Sequence, residues 1–217
     1  MTLRRKIIKG SLDKIPNIAM GMCLDFQKGP DASNIYVTGS DDGAISRCFR
    51  SYTEQYLSQV AAHSYAVTKI KYSPFANDVL LSSSADSTVK IWQVEQKKEK
   101  IKECITIRPS NLLGAVNDIA WSPRRSTLFA LATYDGRIEF WDLSKSLLDP
   151  IISETAKRGT PGSSPVYETT TLLFSHCGGM LVAGDNEGSL KLFQVLDVEH
   201  EGKYELYKEL NKYSLSN

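Results

Sequence analysis

The sequence predicts an all-β chain folded as a β-propeller of about four blades. Three observations lead there. A unit of about fifty residues recurs four times, each unit reads as a small antiparallel sheet, and a tight turn at an acidic residue precedes the last recognisable strand of each.

The first unit runs Cys23-Leu-Asp-Phe26, Ile35-Tyr-Val-Thr-Gly39 and Asp42-Gly-Ala-Ile-Ser-Arg-Cys48. The second runs Lys69-Ile-Lys-Tyr72, Val79-Leu-Leu-Ser-Ser-Ser84 and Asp86-Ser-Thr-Val-Lys-Ile-Trp92. The third runs Asp118-Ile-Ala-Trp121, Leu128-Phe-Ala-Leu-Ala-Thr133 and Asp135-Gly-Arg-Ile-Glu-Phe-Trp141. The fourth runs Thr171-Leu-Leu-Phe174, Met180-Leu-Val-Ala-Gly184 and Glu187-Gly-Ser-Leu-Lys-Leu-Phe193. The aromatics Phe26, Tyr72, Trp121 and Phe174 are 46, 49 and 53 residues apart, and Cys48, Trp92, Trp141 and Phe193 are 44, 49 and 52 apart. The two markers drift together, as they should if whole sheets repeat.

Within a unit, a first strand ends at an aromatic and turns, through Ser-Pro in the second and third units. An apolar run such as Val79-Leu-Leu reads as a strand buried on both faces. The turn at Asp-Gly or Asp-Ser then feeds an alternating strand such as Val89-Lys-Ile-Trp92. This is the layout of a WD-repeat blade. In the second unit His63, Asp86, Trp92 and a strand serine, Ser82 or Ser84, match the hydrogen-bonded set that pins such blades. Asp135 and Trp141 are the corresponding pair in the third, which has no histidine before its first strand. The expected boundaries are 1–17 for a lead-in or the end of a preceding blade, and 18–196 for the four blades. The blades divide at about 18–60, 61–107, 108–155 and 166–196 onward. Residues 197–217 would form a last strand, a short helix or a tail, with Leu206, Leu210 and Tyr213 at helical spacing. Rings of this type usually have seven blades, so four units read as part of a seven-bladed ring, and the chain as part of a longer protein.

Composition sets outer limits. At 217 residues, 41% hydrophobic and 24% charged, the chain has the make-up of a packed soluble domain. A net charge of +1 gives no general attraction to nucleic acid or anionic membrane. No apolar run approaches the roughly 20 residues a membrane span needs, and the basic start has no apolar stretch of a secretory signal. The scattered Cys23, Cys48, Cys104 and Cys177 read as reduced core thiols. The search for chemistry finds no phosphate loop, no His-Glu-x-x-His and no Gly-x-Ser-x-Gly. Lys157–Pro165 reads as an inter-blade loop, and Gln96–Lys102 as a solvated hairpin tip.

One segment carries more. Ser51-Tyr-Thr-Glu-Gln-Tyr-Leu57, a histidine at 63, then Val67-x-x-Ile70-x-Tyr72-Ser-Pro-Phe75 resemble the WD-repeat half of axonemal dynein intermediate chains. So do Met20–Phe26 through Cys48, Asp78–Asp86, and Ile138–Leu143 continuing through Leu148–Ile152, and among members the likeness is nearest to the intermediate chain of the two-headed inner arm. The resemblance implies a non-catalytic scaffold that docks on a dynein heavy-chain tail and contributes to arm assembly and the regulation of ciliary motility. It implies a cytoplasmic, cytoskeletal location in the axoneme of a cilium or flagellum. Other dynein intermediate and light chains and axonemal doublet-associated proteins would be partners, with no cofactor, metal, nucleic acid or membrane. The segment that holds light chains in that family has no counterpart here, which argues against direct light-chain binding by these residues. Ser51–Val60 is expected as the outer strand of the first blade. Tyr52, Gln55, Tyr56 and Leu57 there would either pack on the adjacent blade or contact a dynein subunit. The alternative is a general WD-repeat adaptor, such as a cytoplasmic dynein intermediate chain or another peptide-binding scaffold.

Overall fold

The structure, a computed structural model, describes residues 2–3, 19–29, 34–51, 56–95, 100–110, 112, 114–155, 167–196 and 202–214. Four antiparallel sheets follow one another along the chain. The first holds β1 (Thr2–Leu3), β2 (Ala19–Phe26), β3 (Ile35–Ser40), β4 (Ala44–Phe49) and β5 (Ser58–Ala61), in that spatial order. The second holds β6 (Val67–Tyr72), β7 (Val79–Ser84), β8 (Val89–Glu95) and β9 (Lys100–Ile107). The third holds β10 (Val116–Trp121), β11 (Leu128–Thr133), β12 (Arg137–Asp142) and β13 (Ile152–Thr155). The fourth is three-stranded: β14 (Thr169–Phe174), β15 (Met180–Asp185) and β16 (Leu190–Gln194). Each sheet is a propeller blade. The first long strands stand next to one another, β2 against β6, β6 against β10 and β10 against β14.

The turn between the second and third main strands repeats in all four blades. Its left-handed position is Gly43, Gly136 and Gly188 in three of them (φ 80°, 78° and 83°) and Ser87 in the second (φ 65°). Glycine adopts that conformation without a Cβ penalty. At Gly43 it is doubly required, since an added Cβ would come within 2.2 Å of the His63 carbonyl oxygen. Ser87 offsets part of its strain with a hydroxyl that donates to the Gly114 carbonyl at 2.5 Å.

The register assigns each side chain to one of two faces. Leu81 and Ile91 lie opposite each other on the leading face of the second blade, and Tyr72, Leu80 and Trp92 on its trailing face. Equivalent leading positions are Val37, Leu81, Ala130 and Val182; Ile45, Val89, Ile138 and Leu190; and Arg47, Ile91, Phe140 and Leu192. The hydrophobic clusters join each leading face to the next trailing face. Val37 and Ile45 meet Ile70, Tyr72, Leu80 and Trp92. Leu81, Val89 and Ile91 meet Ile119, Phe129 and Trp141. Ala130, Ile138 and Phe140 meet Leu172 and Leu181. One positional rule thus builds three successive interfaces, each burying residues worth roughly 1.5–3 kcal/mol per large side chain.

Two sequence expectations need adjustment. The outer strand of the first blade begins at Ser58, not Ser51; Arg50 and Ser51 turn, and the Leu57 N–H starts the pairing by donating to the Arg47 carbonyl at 2.7 Å. That strand runs on to Ala61, paired with Ala44. Cys48 and Cys104 are buried, but Cys177 is exposed in the β14–β15 turn and is no core thiol. The predicted inter-blade loop at 157–165 and residues 96–99 of the predicted hairpin tip lie outside the described residues. Of the three forms open for the end of the chain, the structure has a helix, α1 (Lys203–Ser214). Twelve residues are marginal as an isolated helix, so docking stabilises it. Leu206 and Leu210 are buried in the cluster shared by the second and third blades, and the Tyr207 hydroxyl donates to the Asp78 carboxylate. Glu205 accepts from the Gly202 N–H at 3.1 Å at the helix start, where an anion is favoured.

Candidate functional site

The second blade brings His63, Ser82, Asp86 and Trp92 into one buried chain of hydrogen bonds. The Trp92 indole N–H donates to Ser82 Oγ at 2.8 Å, and Ser82 Oγ lies 2.8 Å from His63 Nε2. Indole can only donate, so the serine hydroxyl accepts from it. The Asp86 carboxylate and the Thr88 hydroxyl, itself donating to Asp86 Oδ1, both face Nδ1 as acceptors, so Nε2 carries no proton and accepts from Ser82. That leaves the imidazole proton on Nδ1, 3.1 Å from Asp86 Oδ2 and 2.9 Å from Thr88 Oγ1. Asp86 also accepts from the backbone N–H of Ser64 and of Thr88, each at 3.0 Å. The chain therefore ties the loop before β6 to β7, β8 and the turn between them. Ser84 stands apart from it: its hydroxyl donates to the Tyr65 carbonyl and accepts from the Asp86 N–H, both at 3.1 Å.

Burial pushes the His63 pKa below the usual histidine range, against the upward pull of Asp86. The folded state therefore binds this proton more weakly than the unfolded chain does. The His63 contribution is complete above the unfolded pKa of about 6.5 and is lost as pH falls below it. Urea unfolding at about pH 7.5 and about pH 5.5, on either side of that value, is expected to show a lower midpoint in acid, and His63→Gln should flatten the difference.

The third blade solves the same problem differently. Asp135 and Trp141 are present but do not meet through a histidine and a serine. Asp135 pairs with Arg137 Nε at 2.8 Å, Arg137 Nη1 reaches Glu139 Oε1 at 2.9 Å, and Glu139 Oε2 accepts from the Trp141 indole at 3.0 Å. Glu139 is buried, and burial pushes its carboxyl above the usual range. Arg137 and Glu139 were not singled out from the sequence. The available signal was a glutamate two residues before Trp141, hence on the same face of the strand.

Between blades, two aspartates act as staples. Asp25 Oδ2 accepts from the Tyr72 N–H at 2.8 Å. Asp118, buried, accepts from the Leu172 N–H at 2.9 Å and the Thr171 hydroxyl at 3.2 Å, and Lys69 Nζ stands 3.4 Å away. Lys71 likewise lies 3.7 Å from Asp25. Lys69, Lys71, Asp118, Trp121 and Leu173 line a cavity of about 680 Å³ along the inner strands. Of its polar groups, Lys69, Lys71 and Asp118 are already engaged in holding blades together. No group of three or more His, Cys, Asp or Glu is placed to hold a metal ion among the described residues.

Of the predicted contact residues on the first blade, Tyr56 and Leu57 are half-buried just before β5, and Tyr52 and Gln55 lie outside the described residues. Within β5 itself Val60 packs into the cluster shared with the second blade, and Gln59 Nε2 donates to Ser46 Oγ at 3.2 Å.

Residues 54–93 and 102–142 match the family model "WD domain, G-beta repeat". Over 177 residues the chain is 39% identical to human dynein axonemal intermediate chain 4, covering 82% of this chain and 19% of that one. The chain is a homologue of axonemal dynein intermediate chains. Dynein intermediate chain 2, ciliary, of Heliocidaris crassispina is 32% identical over 180 residues, covering 81% of this homologue and 24% of itself. The 78 kDa intermediate chain of the flagellar outer arm of Chlamydomonas reinhardtii is 29% identical over 177 residues, covering 80% and 24%. The homologue thus spans about a fifth to a quarter of the length of these relatives. Its fold is similar to two computationally designed proteins, each 22% identical to it. Ika4 matches with a TM-score of 0.56 over 87% of this chain and 95% of its own. Ika8 matches with a TM-score of 0.58 over 85% and 48%.

Proposed function

We propose that this chain is a non-catalytic scaffold subunit of an axonemal dynein, docking on the heavy-chain tail and contributing to arm assembly and ciliary motility. The observation that carries the reading is 39% identity, across four-fifths of the chain, to a dynein axonemal intermediate chain. The physical character of the fold agrees with it. The polar groups that a catalytic site would use are spent on structure: His63 on Ser82 and Asp86, Glu139 on Arg137 and Trp141, Asp118 on the neighbouring blade. What remains for recognition is the perimeter and the blade edges, suited to broad protein contacts.

The location follows from the same relatives, whose names place them in axonemes, cilia and flagella. We assign the blade-pinning role to His63, Ser82, Asp86 and Trp92, with Asp135 and Trp141 serving the third blade through Arg137 and Glu139. Tyr56 and Leu57, at the outer edge of the first blade, are the candidate points of contact with a dynein subunit. The reading is tested by whether the chain leaves salt-treated axonemes in one particle with dynein heavy chain. Co-migration is the expected result.

A further inference from the structure

The register gives one cross-strand row in each of the first three blades, running outward on the leading face. In the second blade it is Leu81, Ile91 and Ile105, and in the third Ala130, Phe140 and Ile152. The first blade has Val37, Arg47 and Ser58 there. Two positions that are apolar elsewhere thus carry a guanidinium and a hydroxyl, in the seam between the first and second blades. Arg47 is only 5% exposed, and neither its Nε nor Ser58 Oγ has a partner in hydrogen-bonding geometry among the described residues. Across the seam the buried Tyr72 hydroxyl of the second blade is likewise without one. Burial pushes that hydroxyl up to about 12, against the downward pull of the Arg47 charge, which stands on its side of the seam.

A buried cation needs a counter-charge. The carboxylates on this seam are committed elsewhere. Asp25, on the same face as Arg47, accepts from the Tyr72 N–H and faces Lys71. Glu103, on the edge strand β9, pairs with Lys90 and accepts from Thr106. Water satisfies a hydroxyl but does not neutralise a guanidinium. A planar guanidinium fork with hydroxyl donors beside it fits the two oxygens of a carboxylate. We infer that the seam between the first and second blades takes the carboxylate of an acidic side chain from a partner protein, paired with Arg47. The approach is from the rim, where Ser58 is half-buried on the outermost strand β5 and β9 of the second blade runs beside it. Tyr56 and Leu57, half-buried just before β5, flank that entry. The inference rests on the scaffold reading for the existence of a partner, and deepens it by naming the chemistry of one contact.

A residue kept for a partner leaves a double signature. In the chain alone the unpaired charge is a cost, and an apolar side chain of similar length should stabilise the seam, as Ile91 and Phe140 do at the equivalent positions. The same substitution should weaken the hold on an acidic partner. A structural arginine satisfied within the chain would behave the opposite way in the first respect.

The test pairs thermal unfolding of the purified chain with its binding of a fluorescent hexaglutamate peptide, hexaglutamine being the uncharged control. Arg47→Met is expected to raise the thermal midpoint by at least about 2 °C and to weaken hexaglutamate binding by at least about tenfold. Arg47→Lys, which keeps the charge and loses the fork, should weaken binding without raising the midpoint. Lys145→Met, at an exposed cation of the third blade, should change neither. A lower midpoint for Arg47→Met would overturn the inference, since Arg47 would then be paired within the chain. So would hexaglutamate binding that is absent, matched by hexaglutamine or indifferent to Arg47, or a wild type stabilised by inorganic phosphate but not by hexaglutamate. None of these readings uses heavy chain, so a failure here is distinct from a failure to co-migrate with it.

Discussion

Trp92→Ala is expected to lower the stability of the chain by about 3–5 kcal/mol, among the largest effects of any single substitution here. The indole is 1% exposed and packs where Val37 and Ile45 of the first blade meet Tyr72 and Leu80 of the second. Its removal opens a cavity at a blade junction and takes the N–H from Ser82 Oγ. Trp92→Phe keeps an aromatic ring in the junction and loses the donor with only part of the packing; about 1–3 kcal/mol is expected. In a domain of this size each kcal/mol moves the thermal midpoint by about 2–4 °C, so calorimetry distinguishes the two variants. Equal losses would mean that a phenyl ring recovers none of the packing at this junction, contrary to the account.

Asp118→Ala is expected to loosen the fourth blade while the first two keep their stability. It removes the acceptor of the Leu172 N–H and the Thr171 hydroxyl, and with it the hydrogen-bonded tie from β10 to β14. A buried donor left without an acceptor costs about 1–3 kcal/mol. Among the described residues the fourth blade has three strands and buries one face, through Leu172, Leu181 and Ala183, so it has little reserve. Hydrogen exchange read strand by strand is the measurement. Amides of β14, β15 and β16 should lose protection first, with β6 to β8 unchanged. A uniform loss over all four blades would show that the series unfolds as one unit and that Asp118 is not a local tie.

The sequence made some of this readable and hid the rest, and particular residues show why. The repeat was legible because a period-two strand pattern and a fixed turn leave their marks locally: Leu190-Lys-Leu-Phe193 alternates as Val89-Lys-Ile-Trp92 does, and Gly43, Gly136 and Gly188 occupy one turn position. His63, Ser82, Asp86 and Trp92 were legible as a set, although only the register decides between Ser82 and Ser84. Both serines share the face of Trp92, two and four residues from its partner Leu80, so position along the strand decides: Ser82 stands 2.8 Å from the indole nitrogen, whereas Ser84 reaches the Tyr65 carbonyl. Asp118 was hidden because its partners lie 53 and 54 residues away on another sheet, and their approach depends on how one blade rotates onto the next. Helical spacing of Leu206 and Leu210 was visible, yet the surface they cover and the Asp78 that receives Tyr207, 129 residues earlier, belong to tertiary structure. The start of β5 was misplaced because apolar alternation through Tyr56 and Leu57 continues past the point where the backbone pairs with β4.

The most direct measurement is an immunoblot for this chain across a sucrose gradient of salt-extracted axonemes, with dynein heavy chain followed in the same fractions. A scaffold subunit of the motor should migrate with heavy chain in a particle far larger than 24.2 kDa. Recovery of the chain apart from heavy chain, or its absence from axonemes, would contradict the proposed role.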